Sequence, residues 1–154
     1  MGANVATRYS NAVTLNGLES LKNFPKSSSR FLPPLPIDTA IGRYNEKFNE
    51  AMGGHGTGTM KIYQTQNLWD ATMAWFIASF LKHNKGMKIL QINGRFHSDE
   101  KLGTLAKLQR YNPKLKIANI SAFSDENFEN PDWNKYKKMG DYIILTDPAV
   151  KRSY

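Results

Sequence analysis

The sequence predicts an α/β fold, a small and mostly parallel sheet flanked by helices that forms part of a larger α/β domain. Three observations predict it. Apolar residues recur at helical spacing from Leu68 to Phe80. After them, short apolar runs alternate with a helical pattern, and a strand–helix–strand unit implies parallel strands joined by a right-handed crossover. Finally, the 154 residues hold 40% hydrophobic and 22% charged residues, a globular balance.

The chain divides near residue 57 into a polar, punctuated segment (1–57) and a regular core (58–154). In the first, Thr7 to Leu21 can hold one or two short helices broken at Asn16-Gly17. Ser27-Ser28-Ser29 and the prolines 33, 34 and 36 interrupt any regular element. Asp38 to Met52 can form a helix, with Ile41, Tyr44, Phe48 and Met52 at spacings of three and four. The core opens with a helix to about His83-Asn84, where Gly86 is a stop signal. Strands are expected at 88–92, 116–122 and 141–146. Between the first two, Ser98 can cap a helix to about Tyr111 with Leu102, Leu105 and Leu108 inward. Residues 132–139 are a short helix or irregular. Three parallel strands need cover on both faces, and little sequence remains to supply it, so the sheet is expected to continue in a missing segment or in a second copy.

Composition narrows the function classes. There is no cysteine, which removes disulfides, thiolate ligands and cysteine nucleophiles. No apolar run reaches the roughly 18 residues of a membrane span, so no transmembrane segment is expected. Met1 to Val5 lacks the basic-then-apolar pattern of a signal peptide. The net charge of +8 comes from 21 Lys and Arg against 13 Asp and Glu. The cations are scattered, which reads as a solvated surface; no nucleic-acid-binding motif accompanies them, and nucleic acid is not expected as a partner. Neither a Gly-x-Ser-x-Gly elbow nor a His-Glu-x-x-His helix is present.

Four sites can carry chemistry. Gly94-Arg95-Phe96-His97 follows an expected strand, at the end where open parallel sheets bind ligands; it is either a site or a turn whose histidine caps a helix or meets solvent. Gln66, Asp70 and Met73 share a helix face, and lie either at a pocket or at the solvent boundary. An arginine beside a tyrosine, Arg8-Tyr9, can grip a carboxylate or ligate ferric haem. Gly53 to Gly58 surrounds His55, as a lid, a ligand arm or a linker.

In order, Arg8-Tyr9, Leu32-Pro33-Pro34-Leu35-Pro36, Gly54-His55-Gly56, Gln66-Asn67-Leu68-Trp69-Asp70-Ala71-Thr72-Met73-Ala74 and Gly94 to His97 resemble the ChaN-like haem-binding family of the Tiki superfamily. Asp141 to Thr146 resembles that family's last strand. The resemblance implies that this chain is the family's C-terminal half. It implies a bacterial protein of haem and iron uptake, a lipoprotein of the periplasmic side of the outer membrane, with haem held at a homodimer interface by tyrosine and histidine. Carried onto this sequence, the haem residues are Tyr9, Arg8, His55, His97 and Arg95, with Gln66, Asp70, Met73 and Gly94 lining the pocket. The alternative is a Tiki-type hydrolase using a divalent metal near His97 and Asp70, or an inactive subunit. Two departures stand out: Ala6-Thr7 replaces the family's frequent proline before the Arg-Tyr pair, and only one Gly-x-x-His motif is present.

Overall fold

The computed structural model describes residues 4–53 and 61–151. Helix α1 (Thr7–Asn16) ends at Gly17, whose φ of 82° is the left-handed conformation that glycine adopts without strain. Two 3-10 turns follow, Leu18–Asn23 and Lys26–Phe31. Helix α2 (Arg43–Ala51) is shorter than predicted. Gly42, at φ 77°, stands before its first residue, so 38–42 stay outside the helix and Ile41 is 92% exposed rather than inward.

The long helix α3 (Ile62–His83) is the spine, as its periodicity predicts. One stretch of it packs with Tyr9 and Val13 of α1 and with Leu21, Leu32 and Ile37, through Leu68 and Ala71. Further along, Ala74, Ile77 and Ala78 meet Leu108 of α4 (Gly103–Tyr111). Among the described residues, two small cores built on α3 therefore hold the chain together. Thr14 and Thr65 add a 2.7 Å hydroxyl contact between α1 and α3.

Helix α4 begins five residues later than the predicted cap at Ser98. Glu100 (φ 62°) and Lys101 (φ 57°) are left-handed and break any helix started there, leaving two 3-10 turns, Arg95–His97 and Asp99–Lys101. Ser98 is buried and makes no cap.

The sheet has two strands, β1 (Ile120–Ser124) and β2 (Tyr142–Thr146), parallel and in register from Ile120–Tyr142 to Ser124–Thr146. Parallel pairing is as expected, and β2 lies where the sequence puts it, while β1 is shifted toward the C-terminus of 116–122. The expected strand 88–92 is not part of the sheet. Among the described residues it has no strand beside it, and pairing depends on a neighbour that local sequence cannot supply. Residues 132–139 hold one 3-10 turn, Trp133–Lys135. No helix among the described residues is long and apolar enough to cross a membrane.

Candidate functional site

Asp70 sits mid-way along α3 with no exposed surface. A carboxylate in such a place must be saturated with donors, and three converge on it. Thr104 Oγ1, at the start of α4, donates to Oδ1 at 2.8 Å. His97 Nδ1 lies 2.8 Å from the same oxygen. The Tyr44 hydroxyl, from α2, donates to Oδ2. One turn earlier on α3, Gln66 Nε2 donates to the Tyr44 hydroxyl at 3.0 Å. Spacing of four on a helix puts both side chains on one face, which is how α3 can build the floor of the site alone.

Gln66 Nε2 also approaches His97 Nδ1 to 3.0 Å. Neutral imidazole has one N–H, and an acceptor-only carboxylate at 2.8 Å takes it. A carboxylate at this distance favours the tautomer with the proton on Nδ1, in which Nε2 carries the free lone pair. The ring is held but not sealed: the His97 side chain is 18% exposed. Trp69 lies edge-on, with ring centroids 6.3 Å apart.

The loop carrying His97 is braced from both sides. Arg95 Nη1 donates to buried Asp99 at 3.0 Å, and Ser121 of β1 donates to the other Asp99 oxygen at 2.7 Å. Gly103 (φ 52°) passes so close that a Cβ there would stand 2.7 Å from the His97 carbonyl oxygen and 3.1 Å from Asp70 Oδ1. Above the network, Tyr44, Phe48, Tyr63 and Phe96 stack as a tilted aromatic cluster. Burial, and then the charge of Asp70, push the Tyr44 phenol up, so it remains a neutral donor. Among the described residues no buried side-chain nitrogen or oxygen lacks a partner.

Of the sequence candidates, Gln66, Asp70 and His97 thus come together, with Gly94 and Arg95 on the adjoining loop. The Arg95 side chain is half exposed, stacks 4.1 Å from the Phe123 ring centroid, and spends one of its five donors on Asp99. Met73 is buried, one turn beyond, where its sulfur accepts from Gln91 at 3.6 Å. Arg8 and Tyr9 lie apart from this network. Tyr9 is fully buried in the α1–α3 core, edge-on to Phe24, and Arg8 Nη2 donates to its hydroxyl at 2.8 Å. Hydrogen bonding with Ser28 and then with Arg8 holds the Tyr9 phenol below its ordinary range. His55 lies outside the described residues.

Sequence reasoning missed Tyr44, Thr104 and Gly103. Tyr44 was legible only as an apolar helix position, and nothing at Gly103-Thr104 marks a contact with a residue more than thirty positions away.

A family model described as haem-binding uptake, Tiki superfamily, ChaN matches residues 1–108. The match falls on the N-terminal part of the chain, not its C-terminal part; it takes in α1 through most of α4 and every residue of the Asp70 network, and leaves β1 and β2 outside. Neither a curated protein nor a solved structure matches the chain.

Proposed function

The chain belongs to the ChaN haem-binding uptake family of the Tiki superfamily, and from that premise we propose that it binds haem with His97 Nε2 as the imidazole ligand. One observation carries this: the buried Asp70 carboxylate takes the Nδ1 proton and leaves Nε2 bare on a partly exposed ring. A carboxylate behind a histidine is the usual way of orienting a metal-ligating imidazole and raising its basicity. The surroundings suit a flat, apolar dianion. Trp69 offers an aromatic edge beside the ring. The spare Arg95 donors can meet a propionate. Bound haem would supply the iron chemistry; the protein supplies the ligand, its orientation and its tautomer.

Tyr9 is the second pole. Its phenol is lowered by Ser28 and Arg8, which favours the phenolate that ferric iron takes. The exposed Arg8 covers it, and uncovering the oxygen needs both Arg8 and the Ser28 hydroxyl to move away. Removing the ring from the core would cost more, about 4–6 kcal/mol for its 150–250 Å² of apolar surface. In this proposal a haem held by both Tyr9 and His97 lies between two copies of the chain. His55 and Met73 stand further out in this proposal, the one undescribed and the other behind the network. The same reading places the protein in the bacterial cell envelope, on the path of haem or iron uptake.

The hydrolase reading has less support. Among the described residues no three His, Asp or Glu side chains are grouped to hold a metal, and both Asp70 oxygens already have donors. Hemin titration followed by absorbance tests the proposal. Wild type is expected to saturate. His97→Ala is expected to lose the shifted Soret band, and Asp70→Asn to weaken binding about 10–100-fold. Tyr9→Phe is expected to change the ferric spectrum while leaving the His97-dependent one in the ferrous state. Unchanged binding by His97→Ala would remove this assignment.

A further inference from the structure

Three extended stretches, 88–93, 115–124 and 142–146, alternate inward and outward side chains. Inward, Ile89 and Ile117 pack on the Ala74–Ile77–Ala78–Leu108 cluster. Outward, Leu90 is 83% and Ile92 85% exposed, and Ile120, Tyr142 and Ile144 are also open. Strands apolar on both faces belong to parallel sheets covered on both sides. Yet among the described residues no backbone N–H of 88–93 or of 116–118 donates a hydrogen bond. Backbone groups in extended chain are strong pairing groups, and a row of them left open is a template for another strand.

The two open rows face a shared cleft of about 680 Å³, to which α3 and α4 contribute Ile77, Leu81, Leu105 and Leu108. Lys88, Arg95 and Lys116 line it too, and none of the lining residues is acidic.

We propose that this cleft takes a β-strand of a partner polypeptide, apolar at alternate positions and acidic at its ends. The amides of 88–93 and 116–118, none of which donates a hydrogen bond among the described residues, call for a backbone ladder, which a small ligand cannot supply. The apolar lining selects the strand's inward side chains. The three cations select carboxylates at its ends, and charge complementarity of this kind sets the choice of partner. A second copy is the wrong occupant, because it would bring its own Lys88, Arg95 and Lys116 to the same place. Neither Asp70 nor His97 lines the cleft, although Arg95 and Thr104 border both places; the docking rests on Lys88, Lys116 and the open backbone, which the haem reading does not use.

The test is amide hydrogen exchange on the whole chain, with and without a short blocked peptide of alternating valine and threonine ended by glutamates. Protection is expected to appear at both 88–93 and 116–118. A lysine-ended peptide is expected to bind several-fold more weakly, and a Lys88→Glu, Lys116→Glu double variant, altered only at exposed positions, to reverse that preference. A central proline in the peptide is expected to abolish the protection. No added protection, protection elsewhere, or indifference to the peptide's ends would each overturn the proposal. So would concentration-dependent protection of both segments without peptide, since a second copy would then be the occupant.

Discussion

His97 owes its orientation to the groups packed around it. Asp70 sets the tautomer, Thr104 and Tyr44 hold Asp70, and Gln66 holds Tyr44. Gly103 lets these groups approach. Its φ of 52° already disfavours any side chain, by about 1–2 kcal/mol, and a methyl would also press on the His97 carbonyl and Asp70. Gly103→Ala is therefore expected to destabilise the chain by more than that in urea unfolding, and to weaken hemin binding out of proportion to its effect on the far core around Leu21. Equal stability and equal binding would mean that the close packing at Gly103 is not what holds the loop. At this scale the sequence was partly legible. Gln66 and Asp70 were visible through helical spacing, and His97 through its place after an apolar run. Gly103, Thr104 and Tyr44 were not, because their roles come from contacts across the fold. Tyr9, paired with Arg8 in sequence, turned out to be a core residue in a separate part of the molecule.

Among the elements, α3 was the most legible, since a long periodic segment fixes both its type and its inward face. The α4 start was not, because no residue type in Asp99-Glu100-Lys101 announces two left-handed positions. Residues 88–92 have the right alternation for a strand and still lack one beside them, since pairing is set by neighbours distant in sequence. Helix α2 is held over the site by side chains: the aromatic cluster and the Arg43 guanidinium, which grips Glu100 at 2.8 Å and 3.1 Å. The hydrogen bond from Arg43 holds the Glu100 carboxyl below its ordinary 4.5. A depressed acid gives stability that is fully present above the unfolded value and is lost as pH falls through the folded one. Thermal melting is accordingly expected to be insensitive to Glu100 between pH 7 and 5, as its charge is unchanged there. Below pH 4.5 the wild type should lose a component of stability that Glu100→Gln lacks from the start. A variant whose pH profile runs parallel to wild type throughout that acid range would show that the pair does not tether α2.

At the scale of the whole molecule, two small cores share one helix, and the site sits where α2, α3, the His97 loop and α4 meet. The α/β class was legible from the order of patterns, and the parallel pairing followed from it, while the extent of the sheet did not. The family match ends at residue 108, so it covers the site and not the sheet. The sheet's role is indirect: Ser121 of β1 holds Asp99, and Asp99 holds Arg95 beside His97. All of this architecture converges on one atom, Nε2 of His97, which the proposal makes the haem ligand. Nitrogen NMR of the histidine-labelled chain, before and after adding gallium protoporphyrin as a diamagnetic stand-in for ferric haem, observes that atom directly. His97 is expected to carry its proton on Nδ1 in the free chain, and the porphyrin to shift Nε2, with neither signal present in His97→Ala. A free chain protonated on Nε2, or an Nε2 resonance that the porphyrin leaves in place, would contradict it.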